Sequence, residues 1–197
     1  MTSDSGSRRN GAGASLYSNV PRPVDAPSGR PPRIYFARAM DGIGETQIHS
    51  LADAVARDLE AHGFALVDPF TAVPRLALMQ ELGDGFGDAI VKSDLALLQR
   101  SDGVLVDMSI PGRNYVGCVC EITYAFLWRI PVAVYVGNTS NGARHWLRFH
   151  ADHISEHRHD AVRALQRLVP ERRCGGDDRE TDVGRTEVSG RIEPYFP

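Results

Sequence analysis

The sequence predicts a three-layer α/β domain built on a mostly parallel sheet of four or five strands. Three observations point there. Short apolar runs suited to buried strands recur at Ile34–Ala37, Phe64–Val67, Gly103–Val106 and Val132–Val136. Helical spacing fills most of the intervals between them. The stretch from Ser93 to Val136 reads helix, strand, loop, helix, strand, the order that a parallel sheet requires.

Each element has its own signals. After the first strand comes the turn Arg38–Gly44, and then a helix over Glu45–His62. Ile48, Leu51, Ala52, Val55 and Leu59 mark one apolar face of that helix. Gly63 stands where a glycine commonly ends a helix. Residues 68–87 hold Pro69, Pro74 and the run Gly83–Gly87, which predict loops around one short helix. A helix over Asp88–Gln99 leads to the third strand. The turn-rich segment Asp107–Tyr115 then leads to a helix over Val116–Trp128. Pro131 opens the fourth strand at a place where proline is tolerated. Asn138–Gly142 is a loop, Trp146 and Leu147 are expected to pack, and a short fifth strand falls near His153–Ile154. Asp160–Leu168 is the last helix, stopped by Pro170. A Rossmann-like or flavodoxin-like strand order, 2-1-3-4-5, is the simplest topology for this succession.

Composition narrows the function. Residues 1–32 are polar and poor in large apolar groups and are expected to be disordered, and residues 171–197 turn polar again and are expected to form a mobile tail, around one domain over 33–170. The 197-residue chain has a formal net charge of −3 and a pI near 6.1, which gives no electrostatic reason to bind a nucleic-acid polymer. No apolar run is long enough for a membrane span, and the N-terminal residues lack the apolar core of a signal peptide, so a cytoplasmic protein is expected. Three cysteines, without CxxC spacing, fit that compartment; Cys118 and Cys120 are expected to be buried thiols. His145, His150, His153, His157 and His159 show no metal-ligand spacing and read as surface histidines. Ser109 lies in no nucleophile-elbow motif.

Ligands of open parallel sheets bind beyond the carboxyl ends of the strands, and the segment from Asp107 to Glu121 lies there. Glu121, flanked by Cys118-Val119-Cys120 and Ile122, is a carboxylate on a helix that must pack on the sheet. Such a group is either tied by a hydrogen bond or aimed into a pocket. Tyr35, on the first strand, is placed to meet it; as plain core it would serve equally well. Asp94 sits at the border of an apolar helix face, beside Leu95, Leu97 and Leu98, and reads either as an exposed acid or as a group reaching the cleft. Gly42 and Gly44 in the first turn suit the approach of an anion to a helix N-terminus, or form a plain glycine turn. Arg38 and Asp41 could pair with a ligand or with each other.

Three pieces carry a family resemblance: Ile34-Tyr35-Phe36 with the turn through Gly42, Ser93–Asp102, and Gly117–Ala125 running into Ile130-Pro131-Val132. Over residues 33–136 the chain resembles the nucleoside 2-deoxyribosyltransferase superfamily, which includes 2′-deoxynucleoside 5′-phosphate N-hydrolases and nucleotide N-glycosidases. The resemblance implies that Glu121 is a nucleophile attacking the anomeric carbon, that Tyr35 orients it, and that Asp94 serves the leaving base or the sugar hydroxyls. It implies a 5′-phosphate grip from Met40, Asp41 and Gly42, faced by Arg113, Asn114 and Gly117, with Arg38 adding a contact or narrowing the pocket. It implies a small-molecule nucleotide or nucleoside as partner and a homodimer or larger homo-oligomer; no metal or organic cofactor is expected, since the carboxylates suffice for the chemistry. Val119 replaces the second small residue that the family often carries before its Glu, Arg38 replaces a glycine, and Tyr195-Phe196 only loosely echoes the family's C-terminal aromatic residue.

The expected activity is therefore hydrolysis of the N-glycosidic bond of a 5′-monophosphate or nucleoside through a glycosyl-Glu intermediate. Arg38 and Arg113 beside the glycine turns favour the monophosphate. The alternatives are transfer of deoxyribose between bases and a nucleotide-binding module without turnover. A cytokinin-activating phosphoribohydrolase ranks lower, because residues 111–117 only half match its Pro-Gly-Gly motif.

Overall fold

The computed structural model describes residues 29–72 and 80–169. Five strands, β1 (Arg33–Arg38), β2 (Ala65–Val67), β3 (Gly103–Asp107), β4 (Val132–Tyr135) and β5 (His153–Ser155), form one sheet in the order β2-β1-β3-β4-β5. Every pairing is parallel. The principal helices are α1 (Glu45–Glu60), α2 (Phe86–Gln99), α3 (Val116–Leu127), α4 (His145–His150) and α5 (Arg158–Leu168). Fold class, strand order and the short fifth strand all agree with the sequence reading. The tails lie almost wholly outside the described residues, as does Pro170.

Strand alternation sorts the core into two layers. Tyr35, Ala37, Val104, Val106, Val132 and Val134 face one side, where they pack with Leu98 of α2 and Cys118, Ile122 and Ala125 of α3. Ile34, Phe36, Leu105, Ala133 and Tyr135 face the other, against Val55 and Leu59 of α1 and Ala161, Val162 and Leu165 of α5. The central strands are buried at nearly every residue, which is why they read as continuous apolar runs rather than alternating ones. The chain runs one way from β1 to β2 and then crosses back to β3. The carboxyl ends of β1 and β3 thus lie side by side at the point where the strand order reverses.

Gly63 ends the turn after α1 with φ +80°, a value that favours glycine. The end of α3 carries a non-glycine residue in the same left-handed region. Arg129 takes φ 56° there, and the Ile130 N–H donates to the Ala125 carbonyl at 2.9 Å, the 6→1 bond of a Schellman cap. A left-handed residue that is not glycine costs roughly 1–2 kcal/mol.

Several local expectations need correction. Helix α2 starts at Phe86 and not Asp88, because Gly83–Gly85 forms a 3-10 turn that runs into it. Ser140–Ala143 is likewise a 3-10 turn, begun by the Thr139 hydroxyl accepting from the Asn141 N–H. Leu147 is buried, but Trp146 is 56% exposed, because on so short a helix its side chain points away from the sheet. Cys118 is buried whereas Cys120 is exposed: two residues apart on a helix, they point about 200° apart. His150 is buried, not a surface histidine. Among the described residues no helix is long and apolar enough to cross a membrane.

Candidate active site

Tyr35 sits in the middle of β1, wholly buried, with its ring directed toward α3. Its hydroxyl donates to Oε1 of Glu121 at 2.5 Å across 86 residues of sequence. Parallel pairing places Tyr35 beside Val104, and α3, crossing above, brings Glu121 down onto the phenol. Glu121 itself is partly buried. Burial first, and then the Glu121 and Asp94 carboxylates, push the Tyr35 phenol far above its ordinary range. The phenol therefore remains a proton donor to the carboxylate at any ordinary pH. Asp94, partly buried on α2, is close enough for its charge to contribute to that rise. The structure thus joins Tyr35 to Glu121 and leaves Asp94 near enough for its charge to act on the phenol.

One turn before Glu121 lies Cys118. Burial, followed by the charges of Glu121 and Asp107, pushes its thiol up, so it stays neutral beside the carboxylate and is no thiolate nucleophile.

Arg38 does not reach the open cleft. It is 6% exposed, and its Nη1 and Nη2 donate to the two carboxylate oxygens of Asp68 at 2.8 and 3.2 Å. The guanidinium also lies over the Phe36 ring, 4.7 Å from its centroid. Strand parity explains this: Arg38 shares the α1/α5 face with Ile34 and Phe36, opposite to Tyr35. Its partner is Asp68 and not Asp41, and it fastens the end of β1 to the end of β2. Closed on Asp68, Arg38 supplies neither the expected phosphate contact nor a narrowing of the pocket.

The first turn and the loop before α3 meet through Arg113. Its Nη1 donates to the Asp41 carbonyl at 2.7 Å, and a Cβ on Gly42 would stand 3.1 Å from the same nitrogen. Gly42 has φ +69°, so both the conformation and the close approach favour glycine. Met40 is partly buried and Asp41 exposed. The Asn114 Oδ1 accepts from the Val116 N–H at 3.2 Å, an Asx turn that leads into α3. Gly117 is exposed, and a Cβ there would meet nothing within 4 Å, so the first turn of α3 faces open space.

Four residues of the site region escaped sequence reasoning. Asp107 accepts from the Ser109 N–H and hydroxyl at 2.9 and 2.6 Å. The Tyr115 hydroxyl accepts from the Ile110 N–H and donates to the Ile110 carbonyl, closing the loop on itself. Asn141 donates to the Met108 carbonyl at 2.8 Å. Asp68 anchors Arg38. The only sequence signal was position: Asp68 and Asp107 each sit at the carboxyl end of a parallel strand, where polar groups gather.

Among the described residues no three His, Cys, Asp or Glu side chains converge as metal ligands. A cavity of about 530 Å3 opens beside the loop, walled in part by Arg113, Val119, Cys120, Arg144 and Trp146; neither Glu121 nor Tyr35 lines it.

No family model matches the chain, and no curated protein does. Among solved structures it is similar to the 2-deoxyribosyltransferase of the psychrotolerant bacterium Bacillus psychrosaccharolyticus, at 21% identity and a TM-score of 0.48, over 71% of this chain and 97% of that one. It is also similar to the CMP N-glycosidase BcmB of Clostridium botulinum, at 15% identity and a TM-score of 0.42, over 68% of this chain and 97% of that one.

Proposed function

We propose that the protein is an enzyme that cleaves the N-glycosidic bond of a nucleoside 5′-monophosphate or nucleoside, with Glu121 as nucleophile. The observation that carries this reading is the 2.5 Å bond from a buried phenol to one oxygen of a carboxylate at the topological switch point. A hydrogen bond to Oε1 fixes the carboxyl plane and directs Oε2 as the attacking atom.

Oε2 of Glu121 forms a bond to C1′ of the sugar as the C1′–N bond breaks, its electron pair leaving with the base. Asp94, in its protonated form, gives the base its proton. The sugar is then held as an ester of Glu121. Water attacks C1′, the ester C1′–O bond breaks, Glu121 is a carboxylate again, and the proton from water returns to Asp94. The developing oxocarbenium charge lies over the Glu121 carboxylate, which stabilises it in both steps. The 5′-phosphate is held by the amides of Met40, Asp41 and Gly42, by Gly117 at the open start of α3, and by Arg113 and Asn114, two subunits each carrying such a site in a homodimer.

The test is release of free base from a panel of nucleosides and 5′-monophosphates, with Glu121→Ala alongside. Mass spectrometry of enzyme quenched during turnover should show a sugar-phosphate adduct on the peptide holding Glu121. Full base release by Glu121→Ala would overturn the reading. Addition of a second free base separates hydrolysis from transfer: a new nucleoside among the products marks a transferase.

A further inference from the structure

The cavity beside the loop is not explained by a mononucleotide in the site described above. At about 100° per residue, Val119 in its wall stands roughly 200° around α3 from Glu121, so the cavity lies on the opposite flank of that helix. Its volume of about 530 Å3 falls among those of small-molecule sites. Among the described residues the wall holds two arginines, Arg113 and Arg144, and no carboxylate, above an apolar floor that includes Val119 and Leu147.

Trp146 gives the wall its second character. Its indole is 56% exposed, yet it is held in place. It packs on the buried His150 ring, with centroids 4.1 Å apart, and His150 is itself enclosed by Phe126 and Phe149 at 4.9 Å each. The Nδ1 of His150 pairs with the Trp146 carbonyl at 2.9 Å, fixing the same turn. An exposed indole backed by a buried ring, with two arginines in the same wall, is a stacking platform for an anionic aromatic ligand. Arg113 links the two regions, since it binds the first-turn carbonyls and also walls the cavity.

We infer that the substrate is a nucleotide whose 5′-phosphate is joined through a second phosphate to another aromatic nucleoside, a dinucleoside 5′,5′-diphosphate. This rests on the function proposed above and adds the substrate class. The cleaved half sits at Glu121, the diphosphate lies between Arg113 and Arg144, and the far base stacks on Trp146. The bond broken is the same C1′–N bond; the diphosphate link stays intact on the sugar product.

The experiment compares full-length enzyme on a matched pair: a nucleoside 5′-monophosphate, and the 5′,5′-diphosphate joining the same nucleoside to adenosine. The expected result is kcat/KM at least about tenfold higher for the dinucleotide, expressed through KM, as one stacked base warrants. Trp146→Ala and Arg144→Met should each bring the ratio back toward one. In a Trp128→Phe background, where Trp146 is the remaining tryptophan, dinucleotide should quench emission saturably and monophosphate should not. A ratio near one in the unaltered enzyme, or equal losses on both substrates in the variants, overturns the inference. So does emission that falls with protein concentration alone, which would make a second copy of the chain the occupant. If neither compound releases base, the proposed reaction fails. The emission titration then still decides on the cavity: saturable quenching abolished by Arg144→Met keeps it as a dinucleotide site, and no quenching removes it.

Discussion

Replacing Tyr35 by Phe removes one hydroxyl and leaves the ring that fills the core between β1 and α3. The lost bond is 2.5 Å long and runs to a carboxylate. Hydrogen bonds to charged groups contribute about 1.5–3 kcal/mol. If that energy serves to hold Glu121 in its attacking orientation, kcat falls by about 10–150-fold, at 1.36 kcal/mol per factor of ten. KM should change little, because the phenol lies beneath the carboxylate and not against the ligand. Stability should fall by only about 1 kcal/mol, since the ring stays packed and the partly buried carboxylate can be solvated. The assay is base release at saturating substrate, with thermal unfolding measured on the same preparations. A double-mutant cycle sharpens it. Glu121→Gln should abolish nearly all turnover, and adding Tyr35→Phe to it should cost nothing more, because a phenol that acts only through Glu121 has nothing left to orient. A folded Tyr35→Phe enzyme with kcat within about threefold of the original would refute the reasoning, given the size expected for such a bond. Additive losses in the cycle would refute it as well.

Four further outcomes are expected. Arg38→Met leaves the Asp68 carboxylate buried without its bidentate partner and should cost about 3–5 kcal/mol in denaturant unfolding; a loss under about 1 kcal/mol, the size of an exposed pair, would show the pair to be solvated. Arg129→Gly relieves a left-handed residue at the end of α3 and should stabilise the fold by about 1 kcal/mol, read as a raised denaturation midpoint. Arg113→Ala should raise KM for 5′-monophosphates several-fold more than for the corresponding nucleosides, and an equal effect on both would remove Arg113 from the phosphate grip. Stability should fall on the alkaline side. Burial raises Tyr35, Tyr135 and Cys118 above their unfolded values of 10.0, 10.0 and 9.0. Above those values the unfolded chain has lost protons that the folded chain keeps, so unfolding becomes easier as pH rises. The slope is about 1.4 kcal/mol per pH unit for each group, starting with Cys118 near pH 9 and joined by the tyrosines near pH 10. Urea midpoints measured from pH 8 to 11 check it, and a flat profile would count against burial of these groups.

The fold was legible because its signals are local. Four short runs of consecutive apolar residues suit strands covered on both faces, and each interval between them has room for at least one helix. Tyr35 and Glu121 were legible for a related reason: once the sheet is parallel, a central strand and the helix after its neighbour must meet. Arg38 shows where such reasoning stops. From the sequence, a cation in a glycine-containing turn looks like an anion contact. Its fate was decided by parity along β1, which turns it to the α1/α5 face, and by Asp68, thirty residues away, which supplies both carboxylate oxygens. Neither fact is encoded near residue 38. Trp146 is the converse case, where hydrophobicity alone predicts burial. Its exposure follows from a helix of six residues, which can bury one face only; Leu147 and His150 take that face and turn the indole outward. An outward indole at an arginine-walled cavity and an inward arginine at a glycine turn are each the reverse of what residue type suggests. Such reversals need a partner that holds them in place: Asp68 in one case and the ring of His150 in the other. Arg38 is therefore held by Asp68 as a structural cation, and Trp146 stands outside the core where its residue type alone would place it.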